Sequence, residues 1–94
     1  MMEIDILDVF NKKNIIDIRD SKSYNMGRIP NARLIDKRLL LSNPDMYLNK
    51  DETYYIYCNR GIQSKNICKL LLNMGYKIKS IKGGYEAYLK LKNN

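Results

Sequence analysis

Cys58 is the residue with the most obvious chemical potential in this chain. It ends the run Thr53-Tyr54-Tyr55-Ile56-Tyr57 and is followed by Asn59-Arg60-Gly61-Ile62-Gln63-Ser64. The run before it is aromatic and β-branched, which suits a buried strand. The residues after it suit a tight turn opening a helix. Backbone N–H groups in such a turn converge into an anion-binding nest, and the first turn of the helix adds unpaired donors and the positive end of the helix dipole. A thiol in that setting is stabilised as thiolate, the nucleophilic form of cysteine. Gly61 supplies the backbone freedom such a turn needs. Arg60 adds a positive charge and a fork of donors suited to an oxyanion. Gln63 and Ser64 add neutral donors. On spacing alone, a cysteine ending a strand also reads as a small buried hydrophobe, so both readings stay open at this point.

The rest of the chain narrows the chemistry. There is no histidine among the 94 residues, which removes His-based metal sites and any Cys–His or Ser–His pair. No metal or cofactor is called for, and the nest around Cys58 needs no general base. The second thiol, Cys68, falls ten positions after Cys58, inside the following helix and on or beside its core-facing stripe. It is expected to be a core residue and not a disulfide partner, since a disulfide requires Cα atoms within about 7 Å. The net charge is +7, with twelve of the seventeen basic residues lysine and spread from Lys12 to Lys92. That dispersal fits a solubilising surface better than a nucleic-acid footprint, which clusters on one face. Glu3, Asp5 and Asp8 interrupt the first residues, so no signal peptide is expected, and no apolar run approaches the ~20 residues of a membrane span. The expected setting is cytoplasmic and reducing, with both thiols free.

One α/β domain over residues 1–94 is the expected organisation, since a chain of this length supports one modest core. Residues 5–10 read as a short helix with Asp5 as N-cap. Residues 14–18 and 33–35 read as short strands, with a helical turn at 21–25 and a loop at 26–32 between them. Two short helices follow at 37–41 and 44–48. Residues 53–58 form the clearest strand and 62–74 the best helix, stopped by Gly75, with Ile67, Leu71 and Met74 on one face. A last strand at 77–81, a turn at Gly83-Gly84 and a helix at 85–92, with Ala87, Tyr88 and Leu91 inward, complete the chain. Short strands alternating with helices point to a mainly parallel sheet covered on both faces, with ligands beyond the C-terminal strand ends, where Cys58 lies.

Four segments, in order and at suitable spacing, resemble the rhodanese family. Asp17-Ile18-Arg19, Ser23-Tyr24 and Gly27-Arg28-Ile29-Pro30-Asn31-Ala32 are similar to its D-V-R…E-Y…G-H-I-P-G-A signature. Residues 55–64 resemble its active-site strand and loop. Leu71…Gly75-Tyr76 and Gly83-Gly84-Tyr85-Glu86-Ala87-Tyr88 resemble its L-x-x-x-G-[FY] and G-G-x-x-A-W elements. The match runs from about Ile15 to Tyr88.

The resemblance implies a mostly parallel sheet of about five short strands flanked by helices. It implies transfer of sulfane sulfur from a small anion such as thiosulfate, or from a persulfide, to a thiophilic acceptor, including a thiol or a sulfur-relay protein, through a persulfide on Cys58. Carried over by position, Cys58 is the nucleophile, and Asn59, Arg60, Gly61, Ile62 and Gln63, with Ser64 beside them, form the substrate-binding loop. Asp17, Arg19, Gly27, Pro30, Gly83 and Gly84 match signature positions read as structural, with Asp17 and Arg19 as an ion pair bracing the strand end. Arg28 stands where the signature has histidine, and Asn31 where it has glycine. Gln63 stands where many members carry arginine, which puts donor preference in question. A phosphatase-type C-x5-R loop is not matched, because the sixth residue after Cys58 is Ser64. The alternative is a non-catalytic rhodanese-like binding module, against which the retained Cys58 argues. A monomer without nucleic-acid or membrane partners is expected.

Overall fold

In the computed structural model, which describes residues 2–93, five strands form one sheet: β1 (Glu3–Ile4), β2 (Ile15–Asp17), β3 (Arg33–Leu34), β4 (Thr53–Tyr57) and β5 (Lys77–Ile81). Their spatial order is β1-β5-β4-β2-β3, and all four pairings are parallel. β4 is central, with Ile56 paired to Ile16 of β2 on one side and to Ser80 of β5 on the other. Parallel strands need crossovers, which here are α1 (Ser21–Met26), α2 (Lys37–Ser42) and α3 (Ile62–Asn73), with α4 (Gly84–Lys92) closing the chain.

Both faces of the sheet are buried, as a parallel sheet requires. The two-residue period of a strand sends alternate side chains to opposite faces. On β4 and just beyond it, Tyr54, Ile56 and Cys58 join one core with Ile16, Leu40, Ile67, Cys68, Leu71 and Ile78. Tyr57 joins the other core with Ile15, Ile29 and Ile81, against which Tyr24, Tyr85, Ala87 and Tyr88 pack. Each large side chain so buried contributes about 1.5–3 kcal/mol. The alternation therefore decides which layer receives the thiol: Cys58 faces α3.

Helix starts follow short-range capping. Asp20 accepts from the Ser23 amide at 2.8 Å, and Asp36 from the amides of Arg38 and Leu39 at 2.8 and 3.2 Å. Gly75, at φ 96°, ends the chain segment behind α3 in the left-handed region.

Several expectations are revised. The segment at 5–10 is a single 3-10 turn, Ile6–Asp8, although Asp5 does cap it. Leu7 and Phe10 point outward, so only Ile6 and Val9 have a core to reach and no amphipathic helix is supported. Pro44–Met46 is likewise a single 3-10 turn. β1 was not expected: two residues carry no periodicity, and the strand exists through its register with Ser80 and Ile81. On α4 Leu91 is exposed, and Met74, beyond the last residue of α3, is exposed as well. The buried stripe of α3 instead runs Ser64, Ile67, Cys68 and Leu71.

Candidate active site

Cys58 leaves the C-terminal end of β4, and the chain turns at Asn59-Arg60-Gly61 into α3. Gly61 is the residue before α3 and stands at φ 88°, where a side chain would be strained; a Cβ there would also come within 3.0 Å of the Gly83 nitrogen. The turn wraps around the sulfur. Cys58 Sγ accepts from the Gly61 amide at 3.2 Å and the Ser64 amide at 3.4 Å, and lies 3.4 Å from Ser64 Oγ. Cys58 is 5% exposed. Burial alone would push its pKa up, but the Ser64 hydroxyl, the Ser64 amide and the amides of Gly61 and Arg60 outweigh it, and the pKa falls below the ordinary thiol value. The result is a nearly enclosed sulfur held toward thiolate by donors that need no proton acceptor beside them.

The loop is held from behind by α4. The Tyr85 amide donates to the Cys58 carbonyl at 2.9 Å and the Glu86 amide to the Asn59 carbonyl at 3.0 Å. With these carbonyls engaged on the α4 side, the loop amides face the sulfur. Ser64 is itself fixed: its hydroxyl lies 2.7 Å from that of Ser80 on β5, and both residues are fully buried.

Two hollows open beside the thiol. One, about 280 Å³, is lined by Cys58, Asn59, Arg60, Ile62 and Gln63. The other, about 300 Å³, lies between Cys58, Asn59 and Gln63 on one side and Ile18, Arg19, Asp20, Asp36 and Lys37 on the other. Lys37 Nζ donates to Gln63 Oε1 at 3.0 Å, bringing a cation from α2 onto the rim of the loop. A larger surface hollow, lined by Glu86, Leu89, Lys90 and Asn93 on and just beyond α4, contains no thiol.

The signature residues form a second, structural constellation. Arg19 pairs with Asp17 at 2.7 Å, both nearly or fully buried. Tyr57 Oη donates to the same carboxylate at 2.7 Å and accepts from the Ile29 amide at 3.1 Å. Arg19 also donates to the Gly27 carbonyl at 2.6 Å and lies over the Tyr85 ring at 4.0 Å. These contacts fasten Gly27 and Ile29 to the ends of β2 and β4. Asn31 takes the left-handed conformation at φ 70°, which asparagine tolerates better than most residues. Arg28 lies over the Tyr24 ring at 4.2 Å.

The structure thus gathers Cys58, Asn59, Arg60, Gly61, Ile62, Gln63 and Ser64 about one sulfur, with Gly83 and Gly84 behind them, and places Asp17, Arg19 and Gly27 in the bracing network, while Pro30 is exposed beside it and makes none of these contacts. Cys68 is a free, fully buried thiol whose pKa is pushed up to about 12, by burial first and by the charge of Glu3 second. Among the described residues no cluster of side chains is arranged to hold a metal ion, and no helix is long and apolar enough to cross a membrane. Two residues escaped the sequence reading. Ser80 has a faint signal: it shares a strand face with buried Ile78, so it is a hydroxyl at a core position. Lys37 has none, because its approach to Gln63 depends on how α2 packs.

A parallel α/β sheet with a cysteine-bearing loop between its central strand and the next helix defines a recognisable class. The family model for the rhodanese-like domain matches residues 5–91, and the chain belongs to that family. The chain is 32% identical over 74 residues to a putative sulfurtransferase, YtwF, of Bacillus subtilis, covering 79% of this chain and 71% of that one. It is 29% identical over 84 residues to the thiosulfate sulfurtransferase GlpE of Coxiella burnetii, covering 86% and 78%. Among solved structures, a rhodanese-like domain protein of Staphylococcus aureus superposes with TM-score 0.79 at 31% identity, covering 94% of this chain and 91% of that one.

Proposed function

We propose that the protein is a sulfurtransferase that carries sulfane sulfur as a persulfide on Cys58. The observation that carries this reading is the pair of backbone amides, of Gly61 and Ser64, converging on Cys58 Sγ, which favours thiolate without a base. The sulfurtransferase names of the relatives support it. In the first half-reaction the thiolate attacks the outer sulfur of thiosulfate. A Cys58 S–S bond forms, the S–S bond of the donor breaks, and sulfite leaves with the electron pair. A protein persulfide serves as donor in the same way, with a thiolate leaving. In the second half-reaction a nucleophile attacks the terminal sulfur and Cys58 thiolate departs. The loop amides hold the negative sulfur at each stage. The acceptor is a thiol, on a small molecule or on a sulfur-relay protein, and the chain acts as a cytoplasmic monomer, without nucleic acid or membrane.

The test is thiocyanate formation from thiosulfate and cyanide. Turnover by the wild-type protein and none by Cys58→Ser supports the proposal. Turnover in Cys58→Ser equal to wild type contradicts it.

A further inference from the structure

Behind the sulfur, on the side away from solvent, two hydroxyls stand in line. Ser64 Oγ lies 3.4 Å from Cys58 Sγ and 2.7 Å from Ser80 Oγ, and Ser64 and Ser80 are both fully buried. Among the described residues Ser64 is the one side-chain partner of the Ser80 hydroxyl. A hydroxyl has a single proton to donate. When Cys58 is thiolate, the sulfur only accepts, so Ser64 must spend its proton on Sγ. The Ser64–Ser80 contact is then satisfied in one sense alone, with Ser80 donating to Ser64. Without Ser80, the Ser64 hydroxyl keeps its distance to the sulfur but loses the donor that fixes its direction and polarises it.

We propose that Ser80 is a positioning residue for the reaction of Cys58: from β5 it orients the Ser64 proton toward the sulfur and so keeps the nucleophile anionic. Among the described residues Ser80 makes no hydrogen bond to the sulfur and lines neither hollow beside it, and it acts through Ser64. The placement follows from register. Ser80 is paired with Ile56 of β4, two residues before Cys58, so the strand carrying the nucleophile and the strand carrying its helper are adjacent. The inference rests on Cys58 being the reacting thiol and extends the site into the sheet.

Charged groups also face this thiol. Arg60 comes from its own loop, Arg19 and Asp20 from just beyond the end of β2, and Asp36 with Lys37 from the start of α2. The chain has no histidine, so no imidazole titrates among them.

The experiment measures the alkylation rate of Cys58 by iodoacetamide across pH 5.5–10 in the full chain. Peptide mass mapping separates Cys58 from other thiols, and thermal unfolding is followed alongside. Ser80→Ala should move the alkylation midpoint upward and slow reaction at pH 7 by roughly 3- to 10-fold, the effect of half to one pKa unit. Ser80→Thr, which keeps the hydroxyl, should restore the wild-type profile. In a Ser64→Ala background the further change Ser80→Ala should add nothing, because the connection is already cut. Superimposable profiles for wild type and Ser80→Ala would overturn the proposal, as would an equal effect of Ser80→Ala with and without Ser64. Should Ser80→Ala fail to fold, Ser80→Cys, nearly the same size but a weak donor, decides: an upward midpoint supports the proposal and an unchanged one overturns it. The readout is thiol acidity, so it answers independently of whether the protein transfers sulfur.

Discussion

Gly84 packs directly on the main-chain carbonyl of Cys58. At φ 58° it is the first residue of α4, and a Cβ built on it would meet the Cys58 carbonyl oxygen and come within 2.9 Å of the Asn59 carbonyl carbon and oxygen. These are backbone atoms and cannot swing aside. The bare Cα therefore lets the start of α4 reach the loop, where the Tyr85 and Glu86 amides take the carbonyls of Cys58 and Asn59. The nucleophile's loop is shaped as much by the helix behind it as by the turn that contains it.

Gly84→Ala should accordingly disturb the loop and the fold together. Strain at positive φ and the backbone collision should lower stability by about 2 kcal/mol or more. Chemical denaturation should show the loss, and the Cys58 thiol should alkylate more slowly at neutral pH. A variant with wild-type stability and thiol reactivity would show that the contact is not needed.

Tyr57→Phe tests the bracing network apart from the thiol. It removes a hydrogen bond to the buried Asp17 carboxylate and leaves the buried Ile29 amide without its acceptor. The expected cost is about 2–3 kcal/mol, a fall in Tm of about 10–20 °C for a chain of this size. The pH profile of Cys58 alkylation should stay as in wild type.

Lys37 bears on donor preference. Its ammonium holds Gln63 at the rim beside the thiol, so Lys37→Met should raise KM for thiosulfate by about 2- to 5-fold, with kcat much less affected. Added salt should shrink the difference between the two proteins. Steady-state kinetics at low and high ionic strength provides the check, and equal KM values would remove Lys37 from substrate recognition.

Cys68 gives a pH signature of stability. Its folded pKa is raised to about 12, whereas an unfolded thiol ionises near ~8.5. Below ~8.5 both states keep the proton and the contribution is whole. Above it the unfolded state loses the proton first, so stability declines as pH rises toward about 12. Cys68→Ala removes this component. Its denaturation midpoint should fall less steeply between pH 8 and 10.5 than that of wild type, by up to about 2 kcal/mol in stability at pH 10. Parallel slopes would contradict the assignment.

The strand 53–57 and the loop after it were legible because local chemistry and long-range packing agree there: aromatic and β-branched residues, a glycine at the turn, then an apolar stripe at helical spacing. Asp17 and Arg19 were legible as a pair because they are neighbours on one strand end. The contacts that complete the site join distant segments. Ser80 meets Ser64 because α3 packs over β5, and Lys37 meets Gln63 because α2 and α3 pack together. No local pattern encodes either approach. The strand Glu3–Ile4 is too short for any period, and residues 5–10 mislead because Leu7 and Phe10 have the composition of a helix face but no core to cover. Residues whose neighbours in sequence determine their surroundings could be read directly; those positioned by strand order could not.

The most direct test is the intact mass of the purified protein after incubation with thiosulfate or with a protein persulfide, beside Cys58→Ser. A gain of one sulfur atom, about 32 Da, is predicted on the wild-type chain alone, mapped to Cys58 and removed by cyanide as thiocyanate. A folded wild-type protein with a free Cys58 thiol that gains no sulfur from either donor, or a Cys58→Ser variant that gains it equally, would contradict the account.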